Sequence, residues 1–328
     1  MTEIAEDPFD RWYSPSVDRK KLRGLMKRND VHGLAFFLAW LGLVCCSGYL
    51  VYISGSAWTL VPAMMVHGAI LSFSYAASHE CAHGTAFKTR WLNELVFWIT
   101  SVIFIEEPLY RRYSHTSHHT HTWFNGKDAQ KIYGNPLSWW TYISQTSGLA
   151  MPVVSLWTLG RVAIGKVNDV EREFTPASEI RKMIINARWM LSIYSGLVLW
   201  AVLLQTAAPF VYFFIPRILG GWLVNLYINT QHMCMNEDVE DHRYSSNTIR
   251  CGPLGRLLYW NMNYHIEHHI FPMVPFHSLP ALRDEIRDEL PRDAGGVFAV
   301  NAKIIGAVRR QGNDPGFYLR PIFDGDTN

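Results

Sequence analysis

The chain has 328 residues, a formal net charge of +2, 49% hydrophobic residues and 14% aromatic residues. The near-neutral balance carries no basic signature, so nucleic acid is not an expected partner. The five cysteines (Cys45, Cys46, Cys81, Cys234, Cys251) show no CxxC spacing, which argues against a disulfide framework and against an iron–sulfur or zinc-ribbon site.

Residues 1–30 are polar and rich in both charges, so no cleavable signal peptide is expected. Arg11, Arg19, Lys20, Lys21, Arg23, Lys27 and Arg28 form a basic cluster ahead of an apolar run. That order predicts a cytoplasmic N-terminus, and it also suits a solvated amphipathic helix. Residues 34–53 contain no charge, about the length that crosses a ~30 Å hydrocarbon core. After the short link 54–56, residues 57–77 form a second uncharged run. The two predict a helical hairpin that delivers His79 to the cytoplasmic side, where Lys88 and Arg90 follow. His67 lies about 18 Å before His79 at helical rise, too far to share a metal. It reads as a packed or hydrogen-bonded residue inside the span, with a substrate tunnel as the alternative.

Residues 91–105 are apolar but short, and predict an interfacial or re-entrant helix ended by Glu106, Glu107 and Pro108. Residues 125–185 mix Trp139, Trp140 and Trp157 with charges, the pattern of a membrane-hugging cytoplasmic segment. Glu171, Arg172, Glu173, Glu179, Arg181 and Lys182 read as a solvated charged stretch. Residues 189–204 and 209–228 predict a second hairpin. Arg217 falls inside it and needs a partner, water or a route to the outer face. An even number of spans returns the chain to its starting side, so residues 1–33, 79–188 and 229–328 are expected to be cytoplasmic. Residues 279–290 predict an amphipathic helix, and no catalytic signature follows residue 290. There is no phosphate-binding glycine loop, no GxGxxG and no GxSxG.

The stretch NMNYHIEHHIFP (residues 261–272) organises the rest. His265, His268 and His269 stand at i, i+3 and i+4, on one face of a helix. His115, His118 and His119 repeat that spacing, and His79 and His83 stand at i, i+4. A single such box could be a surface accident, and a lone buried histidine is ordinarily a satisfied core residue. Eight clustered histidines exceed the four ligands that usually satisfy one zinc ion, and so point to two metal ions. His121 lies off the face of the second box and reads as a supporting residue.

The three boxes resemble those of the membrane fatty-acid desaturase and hydroxylase superfamily, in which HxxxH, HxxHH and HxxHH hold a non-haem di-iron centre. Residues 231–280 (QHMCMNEDVEDHR, then YWNMNYHIEHHIFPMVPFHSLP) look most similar to a bacterial branch. That branch contains the desaturase of rhizobitoxine synthesis, the oxygenase of rhizopine catabolism and an arginine desaturase. The resemblance implies an all-α integral membrane protein of one domain, with four transmembrane helices in two hairpins. A cytoplasmic helical cap would carry the di-metal site, in a bacterial inner membrane. It also makes His232, just after the fourth span, a ninth ligand. The family's iron-bound water is often held by an Asn four residues before that histidine. This chain has Ile228 there, with Asn225 and Asn229 nearby. Asp241 and His242 are candidates for orienting ligand imidazoles, or belong to an exposed acidic turn.

The implied cofactors are two Fe ions cycling between Fe(II) and Fe(III), with O2 as co-substrate. The product would be an alkene or an alcohol formed at an unactivated C–H bond. With no flavin, nicotinamide or haem signature, electrons must come from a separate reductase and ferredoxin-like carrier, with Arg111 and Arg112 as a suggested docking site. The superfamily implies an acyl substrate, and the branch a small polar amine such as an amino acid or amino sugar. Glu106 and Glu107, eight and nine residues before His115, could pair with an ammonium, or terminate a helix and balance Arg111 and Arg112. A membrane zinc or copper transporter or sensor is the reading from another class; its sites usually lie near the bilayer midplane, not beyond the spans.

Overall fold

The computed structural model describes residues 12–324, so Arg11 of the basic cluster lies outside the described residues. The other six cations of the cluster are exposed on and after α1 (Arg19–Leu25). α2 (Asp30–Tyr52) starts where the Asn29 side chain accepts from the Val31 N–H at 2.8 Å, satisfying one of the free donors of the first turn. α3 (Ala57–Ser72) runs through Phe73 into α4 (Ser74–Ala82) with helical backbone. The second predicted span is therefore a single apolar run, Ala57–Ala82, that ends past its predicted limit and carries His79 within it.

The third and fourth long apolar helices are α10 (Ala177–Leu203) and Phe210–His232. α10 begins at Ala177 rather than at residue 189, because a helix does not stop where its apolar stretch does. Glu179, Arg181 and Lys182 occupy its first turns. The fourth run opens with a π-helical turn, Phe210–Phe214, before α11 (Ile215–His232). These four are the described helices long and apolar enough to cross a membrane. The described residues contain no β-strand, only an isolated bridge between Arg250 and Gly296.

The packing of α3 against α11 fixes the frame. A Cβ on Gly68 would lie 1.7 Å from the Pro216 carbonyl oxygen, and one on Gly220 would lie 2.0 Å from the Ala69 nitrogen. The two backbones touch, as they do between membrane helices with small residues at the crossing. Trp40 on α2 donates to the Ile70 carbonyl at 2.8 Å and ties α2 to α3. His67 is hydrogen-bonded to Ser47 Oγ (2.8 Å) and to the Tyr212 carbonyl (3.1 Å); it is a packed histidine and does not line the large cavity.

Arg217 corrects an expectation. Its guanidinium does not reach towards the outer face; it is buried, donates to Ser72 Oγ at 2.9 Å and lies 4.6 Å over the Phe104 ring. A neighbouring hydroxyl and a π face replace water as its surroundings. Glu171 is also not solvated: it is buried at the start of α9 (Asp169–Phe174) and accepts from Arg161 Nη1 at 2.8 Å. The sequence pattern of alternating charges could not show that Arg161, ten residues earlier, folds back onto it.

α5 (Arg90–Phe104) is an amphipathic helix that buries Val96, Phe97 and Phe104 and ends at Ile105 in a left-handed conformation, φ 66°. α6 (Pro108–Thr120) begins with Glu107 as its cap and Pro108 in its first turn, the position where a missing N–H costs nothing. α7 (Trp139–Ser147) and α8 (Ala150–Ala163) leave Trp139, Trp140, Val153 and Trp157 exposed, a surface suited to a membrane interface. The tail adds α12 (His242–Ser245), α13 (Pro253–Leu258), α14 (His265–Ile270), α15 (Leu279–Glu285) and α16 (Val297–Gln311). The helix predicted over 279–290 is thus broken into α15 and a short 3-10 turn, Arg287–Glu289. α16 buries Val300, Ile304 and Ala307 in a cluster with Met233 and Cys234, and Asn301 donates to the Leu226 carbonyl of α11 at 2.9 Å.

Candidate metal centre

Nine histidines meet where α4, α6, α11 and α14 end or begin. The first box ends α4, with His83 as its C-terminal cap. The second lies on the last two turns of α6, and the third is α14 itself. His232 is the last residue of α11. Their ring nitrogens fall into two groups. His79, His83, His115, His119 and His268 form one, and His118, His232, His265 and His269 the other; within each group these atoms lie within 4.8 Å of one another. The spacing at i, i+3, i+4 splits each HxxHH box between the groups. His115 and His119 serve one and His118 the other, while His265 and His269 serve the second and His268 the first.

Four imidazoles are held through Nδ1. His118 Nδ1 lies 2.7 Å from Asp128 Oδ2, and His115 Nδ1 lies 3.1 Å from Gln130 Oε1. His232 Nδ1 lies 2.8 Å from the Ser245 carbonyl, and His269 Nδ1 lies 3.1 Å from Thr122 Oγ1. Each acceptor fixes the proton on Nδ1 and frees Nε2 as a donor atom. Burial opposes ionisation of Asp128, but His118 and the surrounding hydrogen bonds outweigh it and hold the carboxyl below its usual range. Burial pushes the His83 imidazole down to about 3, helped by Arg111 and His118. Burial, then neighbouring histidines, likewise hold His115, His119, His265, His268 and His269 well below the ordinary value. These rings are neutral at pH 7, the form that binds metal.

The residues fit a metal pair. Both ring nitrogens of His79 and His268, and Nε2 of His83, are buried without a hydrogen-bond partner. Each such orphan costs roughly 1–3 kcal/mol unless something binds it. Nε2 atoms face one another at 3.1 Å (His115–His119), 2.9 Å (His232–His265) and 3.0 Å (His265–His269). Ligand atoms about 2.1 Å from one ion and at right angles to each other would be about 3 Å apart.

A cavity of about 230 Å³ opens beside the cluster. Its lining includes His79, His115, His118, His232 and His265, together with Glu106, Arg111, Asn225, Ile228 and Asn229 and, from α8, Met151 and Val154. Glu106 lies 3.5 Å from Arg111; burial pushes its carboxyl up, against Arg111 and Arg217. Glu107 caps α6 and accepts from Asn186 at 2.9 Å. The amide nitrogens of Asn225 and Asn229 donate to the Gln145 carbonyl (2.6 Å) and Thr146 Oγ1 (2.9 Å), binding α7 to α11.

Two expectations are corrected here. Asp241 orients no ligand imidazole; it caps α12 and chelates Arg243. Arg111 is buried and cannot dock a partner, and Arg112 is committed to Glu94 at 2.7 Å. His242 makes ring contact with His269 at 5.1 Å between centroids but no hydrogen bond to it. His121 caps the end of α6 and belongs to neither group. Asp128, Gln130, Thr122 and Ser245 went unnoticed in the sequence. An acid ten residues after His118 carries no periodic signal, and a carbonyl acceptor carries none at all.

The family model for the fatty acid desaturases matches residues 56–300. The chain belongs to the fatty acid desaturase family. No curated protein matches it. Membership makes the chain a membrane oxidoreductase of the oxygen-dependent desaturase and hydroxylase type, and with the histidine cluster it marks a metal-dependent site. Replacement of Asp128 by Ala is expected to free the His118 ring and weaken metal binding by roughly 10–100-fold. Competition with a chelator, followed by metal analysis of both proteins, measures it; unchanged affinity would remove the orienting role.

Proposed function

We propose that His79, His83, His115, His119 and His268 hold one iron and His118, His232, His265 and His269 the other, in an enzyme that desaturates or hydroxylates an unactivated C–H bond. The observation that carries this reading is the division of nine histidines, eight of them buried, into two convergent groups beside one cavity. Two irons bound there would supply reductive activation of O2, the chemistry that breaks such a bond. The chain's own part is positional. Asp128, Gln130, Thr122 and the Ser245 carbonyl keep the rings aimed. Asn225 and Asn229 line the same cavity as five of the histidines and are the candidates for holding a water where Ile228 cannot. Equal amounts of iron in the two groups and O2 consumption with a reductant support this reading; a single zinc without O2 consumption would favour a transport or sensing protein.

The substrate we favour is a small polar molecule bearing an amine, of the amino acid or amino sugar type. Glu106 supports it: the carboxylate lines the cavity, where exclusion of water strengthens its pairing with an ammonium. Glu107 is occupied as a helix cap and drops out of that role. The second reading, an acyl chain, is favoured by the apolar wall that Met151 and Val154 give the cavity on α8. Iron-loaded protein, a reductant and O2 are to be incubated with acyl thioesters in one sample and with amino acids and amino sugars in another. Mass spectrometry reads loss of two hydrogens as desaturation and gain of one oxygen as hydroxylation. With an amine substrate, Glu106→Gln is expected to raise KM by roughly 10–100-fold, the worth of a charged hydrogen bond. Reaction of acyl chains alone would retire the amine.

The exposed basic residues of α1 and the even number of spans support an inner-membrane protein with both termini and the metal centre on the cytoplasmic side. A reporter fused after Asn328 is expected to behave as cytoplasmic, and a signal from the far side would reverse this orientation.

A further inference from the structure

With Arg111 buried, only Arg112, partly exposed and paired with Glu94, remains at the surface of the docking point suggested by the sequence. A different feature joins the surface to the histidines. The indole of Trp12 lies flat on the imidazole of His242, with ring centroids 4.1 Å apart and planes at 6°. The His242 ring is in turn 5.1 Å from that of His269, in the four-histidine group. Trp12 is partly exposed, whereas His242 is buried. Nδ1 of His242 has no hydrogen-bond partner, and the rings of Trp12 and His269 are its ring contacts among the described residues. Trp12, His242 and His269 form an unbroken series of π systems from the protein surface to the cluster.

The other indole on this group leads elsewhere. Trp123 stacks on His232 at 5.0 Å and 19°, but it is buried and continues to Tyr133, which lines the cavity. That series leads to the cavity, whereas the Trp12 series ends at a partly exposed residue that does not line it.

We propose that the Trp12–His242 stack is the path by which electrons enter the four-histidine group, and that a separate one-electron carrier of the ferredoxin-like class meets the partly exposed Trp12. The proposal rests on the di-iron reading above. Each transfer oxidises one reduced carrier and converts one ferric ion to ferrous; two transfers reduce the pair. The rings are unchanged overall, and no bond forms or breaks in them. Electronic coupling falls steeply with distance, so contacting rings couple more strongly than a saturated side chain in their place would.

The test uses the full chain, loaded with iron and oxidised, without O2. The loss of ferric absorption is followed in a stopped-flow instrument with two reductants, a reduced plant-type ferredoxin and dithionite, and iron per chain is measured alongside. Trp12→Leu is expected to slow reduction by ferredoxin by an order of magnitude, while the iron content and the dithionite rate stay as in the parent. Trp12→Phe, which restores a ring, is expected to recover most of the ferredoxin rate. Equal slowing with both reductants would make Trp12 a mere cover, and an unchanged ferredoxin rate would place entry elsewhere, such as at the partly exposed His83. A parent protein that ferredoxin cannot reduce would also overturn the proposal. Absence of bound iron in the parent would instead overturn the di-iron reading, so the two failures are distinct.

Discussion

His268→Ala is expected to abolish activity and to strip metal from the five-histidine group. The ring is buried and both its nitrogens lack hydrogen-bond partners. Its centroid lies 4.7 Å from those of His79 and His83 and 4.8 Å from that of His119. No hydrogen bond would be lost on truncation, so a purely structural role predicts only the cost of a modest cavity. As a ligand, its removal should exceed the roughly 10–100-fold cost of losing an orienting partner. Iron analysis and O2 consumption on monodisperse, detergent-solubilised protein decide between them. His277→Ala is the control: His277 stacks on His32 at 4.5 Å and belongs to neither group, so it should keep its iron. Full iron and activity in His268→Ala would end the ligand assignment.

Gly68→Ala is expected to cost nearly as much by a different route. Its new Cβ would sit 1.7 Å from the Pro216 carbonyl oxygen and 2.4 Å from the carbonyl carbon. The obstacle is backbone, so no rotamer change relieves it and the α3–α11 pair must separate. Ordinary overpacking costs about 1–3 kcal/mol, occasionally more; a backbone clash belongs at or beyond the upper end. The damage should reach the site, because α3 continues into the helix bearing His79 and α11 ends in His232. A lower unfolding temperature together with reduced iron content is the expected pair of results. A Cβ on Gly42 in α2 meets nothing within 4 Å, so Gly42→Ala should leave both unchanged. A Gly68→Ala protein as stable as the parent would mean that the two helices can part without harm.

The sequence announced its helices and histidines because both signals are local. Uncharged runs of the right length marked the spans, and i, i+3, i+4 spacing marked the boxes; hydropathy and helical geometry are read within a few turns. The misjudged residues depend on contacts between distant segments. Arg217 is stabilised by Ser72 and Phe104, and Glu171 by Arg161. The helix α16 carries Val300, Ile304 and Ala307 at helical spacing, a local signal, while the cluster they fill is built by other elements. Asp241 looked like a partner for a ligand because of its place beside His242, yet its side chain turns to Arg243. Proximity along the chain suggested chemistry there, and the fold directed the carboxylate elsewhere.

The division of each HxxHH box between two groups has a consequence for biosynthesis. When a growing chain has emerged as far as His119, four members of the five-histidine group exist, but the other group has only His118. The missing members all lie at or beyond His232, the last residue of the last long apolar helix. Neither set is whole until both hairpins have been made and the third box has followed them. Complete ligand sets would thus exist only late in translation, and a chain truncated just before residue 265 would leave the ribosome with four histidines of one group and two of the other.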